Sequence, residues 1–267
     1  MGQFLIFRKG AFMRRSTIVF PILIIASIFM VSFYSWTNPS ESAAKPEVHK
    51  LTQPEIINKL KKASTGNLAD AIETATGQAG FMHYDMKPIF KAKIVGPAAT
   101  ALLRPILTTD KRNYPNYHLK VLDEAPPGSV LVYVLENGLH VSGIGNLLAT
   151  TAIVRGLAGA VIDGAARDIE EISRLGFPVY SRSVSPATVV GRFISTAMQV
   201  PVRCGGVLVR PGDYIVGDSD GVVVVPMDKV SEVLELIHEY DNKESKMIPL
   251  IKETKSMLKA LAKYGRY

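Results

Sequence analysis

The middle third of the chain alternates short apolar runs with helical stretches, and this alternation limits the fold more than any other feature. Ser129 to Leu135 (SVLVYVL), after the turn Pro126-Pro127-Gly128, is a continuous β-branched run of the kind a strand covered on both faces requires. Gly143 and Gly145 then lead into a helix over Asn146 to Arg155, closed by Gly156. Gly159 to Asp163 (GAVID) is a second buried strand. The loop Gly164-Ala165-Ala166 connects it to a helix from Arg167 to Leu175 with Gly176 at its end, and Phe177 to Tyr180 is a third strand. Strand, helix, strand, helix, strand at this spacing requires parallel βαβ units.

The flanks have a different texture. Val202 to Pro226 reads as short strands separated by hairpin signals at Gly205-Gly206, Pro211-Gly212-Asp213 and Asp218-Ser219-Asp220-Gly221. An antiparallel hairpin sheet is therefore expected beside the parallel one, in an α/β fold. Upstream, Pro54 opens a short helix, Ser64 to Asn67 stops it and starts another over Leu68 to Thr74, and Lys93 to Leu103 reads as a strand interrupted at Gly96-Pro97. Downstream, Val230, Val233, Leu234, Ile237 and Tyr240 recur at helical spacing; Pro249 is expected to break that helix, and Ile251 to Tyr264 to resume it.

The amino terminus reads as a membrane address. Thr17 to Tyr34 carries no charge, Arg14 and Arg15 precede it, and no Lys or Arg follows before Lys45. A basic flank of this kind stays in the cytoplasm and places the body outside it. The run sits at the short end of the ~20 residues a helix needs to cross a bilayer. It reads either as an anchor over residues 17–36 or as the core of a signal peptide cleaved near Ser42-Ala43-Ala44. The expected organisation is residues 1–37 as anchor or signal, 38–52 as linker and 53–267 as the folded domain. That domain is expected to be exported, either membrane-anchored outside the cytoplasm or periplasmic or secreted after cleavage.

Composition removes several classes. The single Cys204 forbids an intrachain disulfide and a cysteine-built zinc site. Residues 1–44 hold four basic residues against one acidic, leaving 27 basic and 23 acidic in the body, so no nucleic-acid partner is expected. Gly217 to Gly221 matches Gly-x-Ser-x-Gly literally, but Val222 to Val225 after it is a strand pattern. A nucleophile elbow needs a helix there, so Ser219 reads as a turn residue.

The chemistry concentrates between Gly143 and Asp168. Two loop-to-helix junctions, at Gly145-Asn146-Leu147-Leu148 and at Arg167-Asp168, fall where parallel strands end and ligands bind. The first turn of a helix has N–H groups without intrahelical partners and favours anions. Arg167 is a charged fork suited to a carboxylate, and Asp168 is a hard oxygen donor suited to Mg²⁺ or Mn²⁺. The same pair also reads as a helix-capping Asp beside a surface Arg.

Several segments together resemble the RraA-like proteins, which include 4-hydroxy-4-methyl-2-oxoglutarate aldolases and regulators of RNase E activity. They are Asn67-Leu68-Ala69-Asp70-Ala71, Val95 to Thr100, Pro127 to Val132, the run from Gly145 to Arg182, and Arg210 to Pro226. The resemblance implies a swivelling β/β/α-type domain, homotrimers or hexamers, and a divalent-metal site at subunit boundaries. It implies that Gly145, Asn146, Leu147, Leu148 and Arg167 hold a small 2-keto acid substrate and that Asp168 binds the metal. It also implies a glutamate from a neighbouring subunit's carboxy-terminal helix, for which Glu244 is the candidate. The implied activity is a metal-dependent lyase: retro-aldol cleavage to pyruvate, with oxaloacetate decarboxylation through the same enolate. The aldolase pattern has an acidic residue twenty-one positions before the Arg, where this chain has Asn146. An amide cannot take a proton from water. A non-catalytic binding protein on the same fold is therefore the alternative.

Overall fold

A computed structural model describes residues 51–106 and 113–265. The segment Thr17 to Tyr34 lies outside the described residues, and among those described no helix is long and apolar enough to cross a membrane. The expectation of an exported, membrane-anchored domain is corrected accordingly. An apolar run at the short end of the bilayer span meets only a necessary condition for crossing it.

The described chain opens with α1 (Gln53–Lys62) and α2 (Thr65–Thr76), then β1 (Lys87–Pro88) and β2 (Ile94–Pro105). Next come α3 (Tyr117–Glu124), β3 (Val130–Leu135), β4 (Ser142–Ile144), α4 (Asn146–Val154), β5 (Gly159–Ala166), α5 (Ile169–Leu175) and β6 (Val179–Val184). β7 (Phe193–Met198) is followed by β8 (Val202–Cys204), β9 (Val207–Val209), β10 (Tyr214–Gly217) and β11 (Val222–Val225). Helices α6 (Val230–Thr254) and α7 (Met257–Tyr264) complete it.

Among the described residues a nine-stranded mixed sheet runs β1-β6-β5-β3-β2-β10-β11, with β4 on β5 and β7 on β2. The pairs β2/β3, β3/β5, β4/β5 and β5/β6 are parallel, as the βαβ spacing requires. β3 is buried along its whole length. Its period of two sends Leu131, Tyr133 and Leu135 into one core with α3, α4 and α5, and Val130, Val132 and Val134 into another with β8. A third core holds α1, α2 and α6 against Val216, Val223 and Val225 of the hairpin.

Four expectations are revised. The β10–β11 hairpin is not a separate sheet: β10 pairs antiparallel with the first half of β2, and only β8–β9 stands apart. β2 runs unbroken through Gly96-Pro97, because β3 joins β2 only from Ala98 onward and needs no donor from the proline. There Gly96 passes so close to the Gly128 carbonyl that a Cβ would lie 2.2 Å from it. α6 likewise continues through Pro249, which removes one backbone bond, and the helix ends instead at Lys255 in the left-handed conformation. Finally, β5 extends past Asp163 through Gly164-Ala165-Ala166, because β4 takes over from β3 as its partner at Ala165.

Candidate functional site

β4 and β5 end side by side. Ile144 is paired with Ala166, and the Arg167 N–H donates to the Ile144 carbonyl at 3.1 Å. The residues that follow on each strand, Gly145-Asn146 and Arg167-Asp168, therefore meet at the carboxyl edge of the parallel strands. α4 starts here: the Ala149 N–H reaches back to the Gly145 carbonyl at 3.1 Å. The N–H groups of Asn146, Leu147 and Leu148 have no acceptor one turn back, and no side chain caps them from Gly145.

One of those three is engaged by the site itself. Asp168 Oδ2 accepts the Asn146 N–H at 2.9 Å and lies 3.7 Å from Arg167 Nε. Both side chains are more than a third exposed, so water screens this pair. The expected helix starting at Arg167 begins instead at Ile169, because Asp168 has φ 55° and ψ 40°, in the left-handed region. Its carbonyl still receives the Ile172 N–H, but its carboxylate caps α4 and not its own helix. Gly145 is required by this arrangement: a Cβ there would fall 2.6 Å from Asp168 Oδ2 and 2.9 Å from Arg167 Nε. The Leu147 side chain is exposed while Leu148 packs on the core, so both offer the site their backbone.

Gly145, Asn146, Leu147, Leu148, Arg167 and Asp168 thus share one strand edge. Glu244 does not join them within the chain; it lines a cavity on α6 with Asp70 and Glu73 of α2 and Leu261 of α7. Among the described residues no group of three His, Cys, Asp or Glu side chains is poised to hold a metal. The donor set at this edge is a single carboxylate beside anion-binding N–H groups. That fits Mg²⁺, which keeps several waters and takes oxygens from its substrate, better than a cation needing an all-protein cage.

A second arginine cluster does not follow from any motif or spacing in the sequence. Arg182 Nε bonds Asp85 Oδ1 and Oδ2 at 3.0 and 3.1 Å, Nη2 bonds Asp85 Oδ2 at 3.0 Å, and Nη1 bonds Asp163 Oδ1 at 3.0 Å. Asp163 Oδ2 accepts the Gly205 N–H at 2.7 Å. The hydrogen bonds from Arg182 hold the Asp85 carboxyl below the usual range. The signal available was Asp163 itself, one charge inside an apolar strand. Next to this cluster Cys204 is fully buried, which pushes its thiol up and makes it inert. Ser219 lies in the turn between β10 and β11, where Asp218 accepts bonds from Thr65 N–H at 3.0 Å and Thr65 Oγ1 at 2.6 Å.

Residues 65–224 match the family model described as RraA-like, Aldolase/RraA. A protein of Halalkalibacterium halodurans named "Putative 4-hydroxy-4-methyl-2-oxoglutarate aldolase" is 34% identical over 188 residues, covering 69% of this chain and 84% of that protein. Protein DlpA of Legionella pneumophila is 31% identical over 186 residues, covering 68% of this chain; the match spans 29% of that relative's length. The crystal structure of Streptomyces coelicolor RraAS2, described as an unusual member of the RNase ES inhibitor RraA protein family, is similar with a TM-score of 0.65. It is 26% identical, over 76% of this chain and 98% of that one. The matched span runs from α2 to β11 and includes both strand ends that build the site, and the chain belongs to the RraA-like family.

Proposed function

We propose that the chain is a divalent-metal-dependent lyase that cleaves 2-keto acids to pyruvate, with 4-hydroxy-4-methyl-2-oxoglutarate and oxaloacetate as its substrates. The observation that carries this reading is the placement of Arg167, Asp168 and the unsatisfied N–H groups of α4 at one strand edge. Asp168 would hold Mg²⁺ or Mn²⁺, whose chemistry when bound is to draw electron density from the 2-keto oxygen. The Asn146, Leu147 and Leu148 N–H groups and the Arg167 guanidinium bind the substrate carboxylate and stabilise the negative charge that grows during bond breaking. In the retro-aldol reaction the C3–C4 bond breaks, its electron pair becomes the pyruvate enolate, and the 4-hydroxyl loses its proton as the second pyruvate forms. In decarboxylation the bond to the departing CO₂ breaks and leaves the same enolate, which in both reactions takes a proton from water at C3 to become pyruvate. Asn146 can donate or accept a hydrogen bond to the water that carries the proton but cannot keep it.

The assembly proposed is a trimer or a pair of trimers with the site at a subunit boundary. Exposed Leu139, Leu147 and Val184 around the site support a buried boundary there, and Glu244 is the proposed contribution from a neighbour. A non-catalytic binding protein is the second reading, favoured by Asn146 alone.

The test is pyruvate release from both substrates by the full chain, with Mg²⁺, with a chelator, and in Arg167→Ala, after subtracting metal-promoted background decarboxylation. Turnover that needs Mg²⁺ and falls at least about a hundredfold in Arg167→Ala is expected, the scale of a lost charge-stabilising donor. Folded protein that binds Mg²⁺ yet shows no turnover above background would leave the binding-protein reading standing.

A further inference from the structure

The anion seat at the start of α4 already carries an anion, and it belongs to the chain. Asp168 Oδ2 accepts the Asn146 N–H at 2.9 Å and lies 3.7 Å from Arg167 Nε. These are the first N–H of the helix and the nearest guanidinium nitrogen, the donors that an incoming carboxylate would seek. The left-handed backbone of Asp168 aims its side chain across at α4 rather than along α5. The absent side chain of Gly145 makes room for it, since a Cβ there would stand 2.6 Å from the same oxygen. One N–H cannot serve two carboxylates at full strength, and two anions side by side repel.

We propose that Asp168 is a built-in competitor for the substrate's place, so that a divalent cation must draw this carboxylate away before a substrate carboxylate docks. This deepens the lyase reading and rests on it. The order of binding is metal first, anion second. In this scheme Asp168 does two things: it keeps stray monocarboxylates off the helix, and it frees the seat when it takes up a cation. Linkage makes the coupling mutual, so the anion tightens the cation by the same factor.

Binding of oxalate to the full chain, measured by titration calorimetry in chelator and again at fixed free Mg²⁺, tests the scheme without turnover. Asp168→Gly removes the competitor, and Asp168→Asn removes its charge while keeping an oxygen that can still accept the Asn146 N–H. Gly and Asn both tolerate the left-handed backbone, so both variants keep the local fold. In chelator, Asp168→Gly is expected to bind oxalate about tenfold tighter than the parent, the scale of one charge-assisted hydrogen bond. Asp168→Asn should lie clearly closer to the parent. Equal gains in the two variants would show simple charge repulsion and overturn the proposal, as would no gain in Asp168→Gly. Oxalate binding by the parent with Mg²⁺, lost in Arg167→Ala, keeps the site reading alive whichever way the Asp168 variants fall. No binding by the parent with Mg²⁺ would bring down the site reading and the competitor with it.

Discussion

Two arginine–carboxylate groups are built around β5, and they are put together in opposite ways. At Asp163, Arg182 uses three nitrogens on two aspartates at 3.0–3.1 Å, and the second oxygen of Asp163 takes the Gly205 N–H. The Arg182 side chain is 19% exposed and that of Asp163 13%. Four and five residues on, Arg167 and Asp168 stand 3.7 Å apart, are 39% and 38% exposed, and lean on a left-handed backbone. The first group is closed: each guanidinium nitrogen of Arg182 and each carboxylate oxygen of Asp85 and Asp163 has a partner inside the protein, and it ties β5, β6, the loop before β1 and the β8–β9 ribbon into one body. The second is open, with N–H groups and guanidinium donors still available. Paired charges alone do not mark a site; unused bonding capacity held in a fixed direction does.

The largest effect should separate the two groups directly. Arg182→Ala leaves two partly buried carboxylates unpaired and is expected to lower unfolding free energy by about 3 kcal/mol in urea titrations. Arg167→Ala should change it by less than about 1 kcal/mol, because its ion pair is exposed and screened. Equal losses would erase the distinction between closed and open.

A pH series sharpens the same contrast. The Asp85 carboxyl is held below its ordinary value near 3.8, chiefly by the hydrogen bonds from Arg182. Its contribution is therefore complete above that value and fades as pH falls through the depressed one. Urea midpoints should drop more steeply in the parent than in Asp85→Asn between about pH 4 and pH 2; parallel curves would mean that Asp85 contributes nothing. The smallest expected change is in Asp168→Gly, whose stability should stay within about 1 kcal/mol of the parent, because relief of left-handed strain offsets the glycine's added chain entropy and the lost bond. A larger loss would make Asp168 a structural residue like Asp163.

The parallel core is legible in the sequence because a strand buried on both faces needs an unbroken apolar run, and Val130 to Leu135 supplies one. Gly164-Ala165-Ala166 conceals its strand, since three small residues carry no β signal and the pairing comes from β4 and β6. The short strand β4 is hidden for the same reason: Ser142-Gly143-Ile144 has no alternation to read. Pro249 misleads because local propensity weighs one lost hydrogen bond, while α6 is held by side chains along its length, including Ile237, Tyr240 and Met247. The residues at the site follow from their position after parallel strands. The crossing of the Asp168 carboxylate to α4 does not, because it depends on a backbone angle that composition and spacing leave free.

That backbone angle narrows the chemistry available at position 168. Glycine, asparagine and aspartate are the residues that enter the left-handed region at least expense, and of these only aspartate is ionised at neutral pH. The turn and the charge together leave the position an alphabet of one letter. Glutamate, the usual conservative exchange, would keep the charge while straining the turn and overreaching the gap that Gly145 leaves. The shape of the chain thus selects the functional group before any ligand is considered.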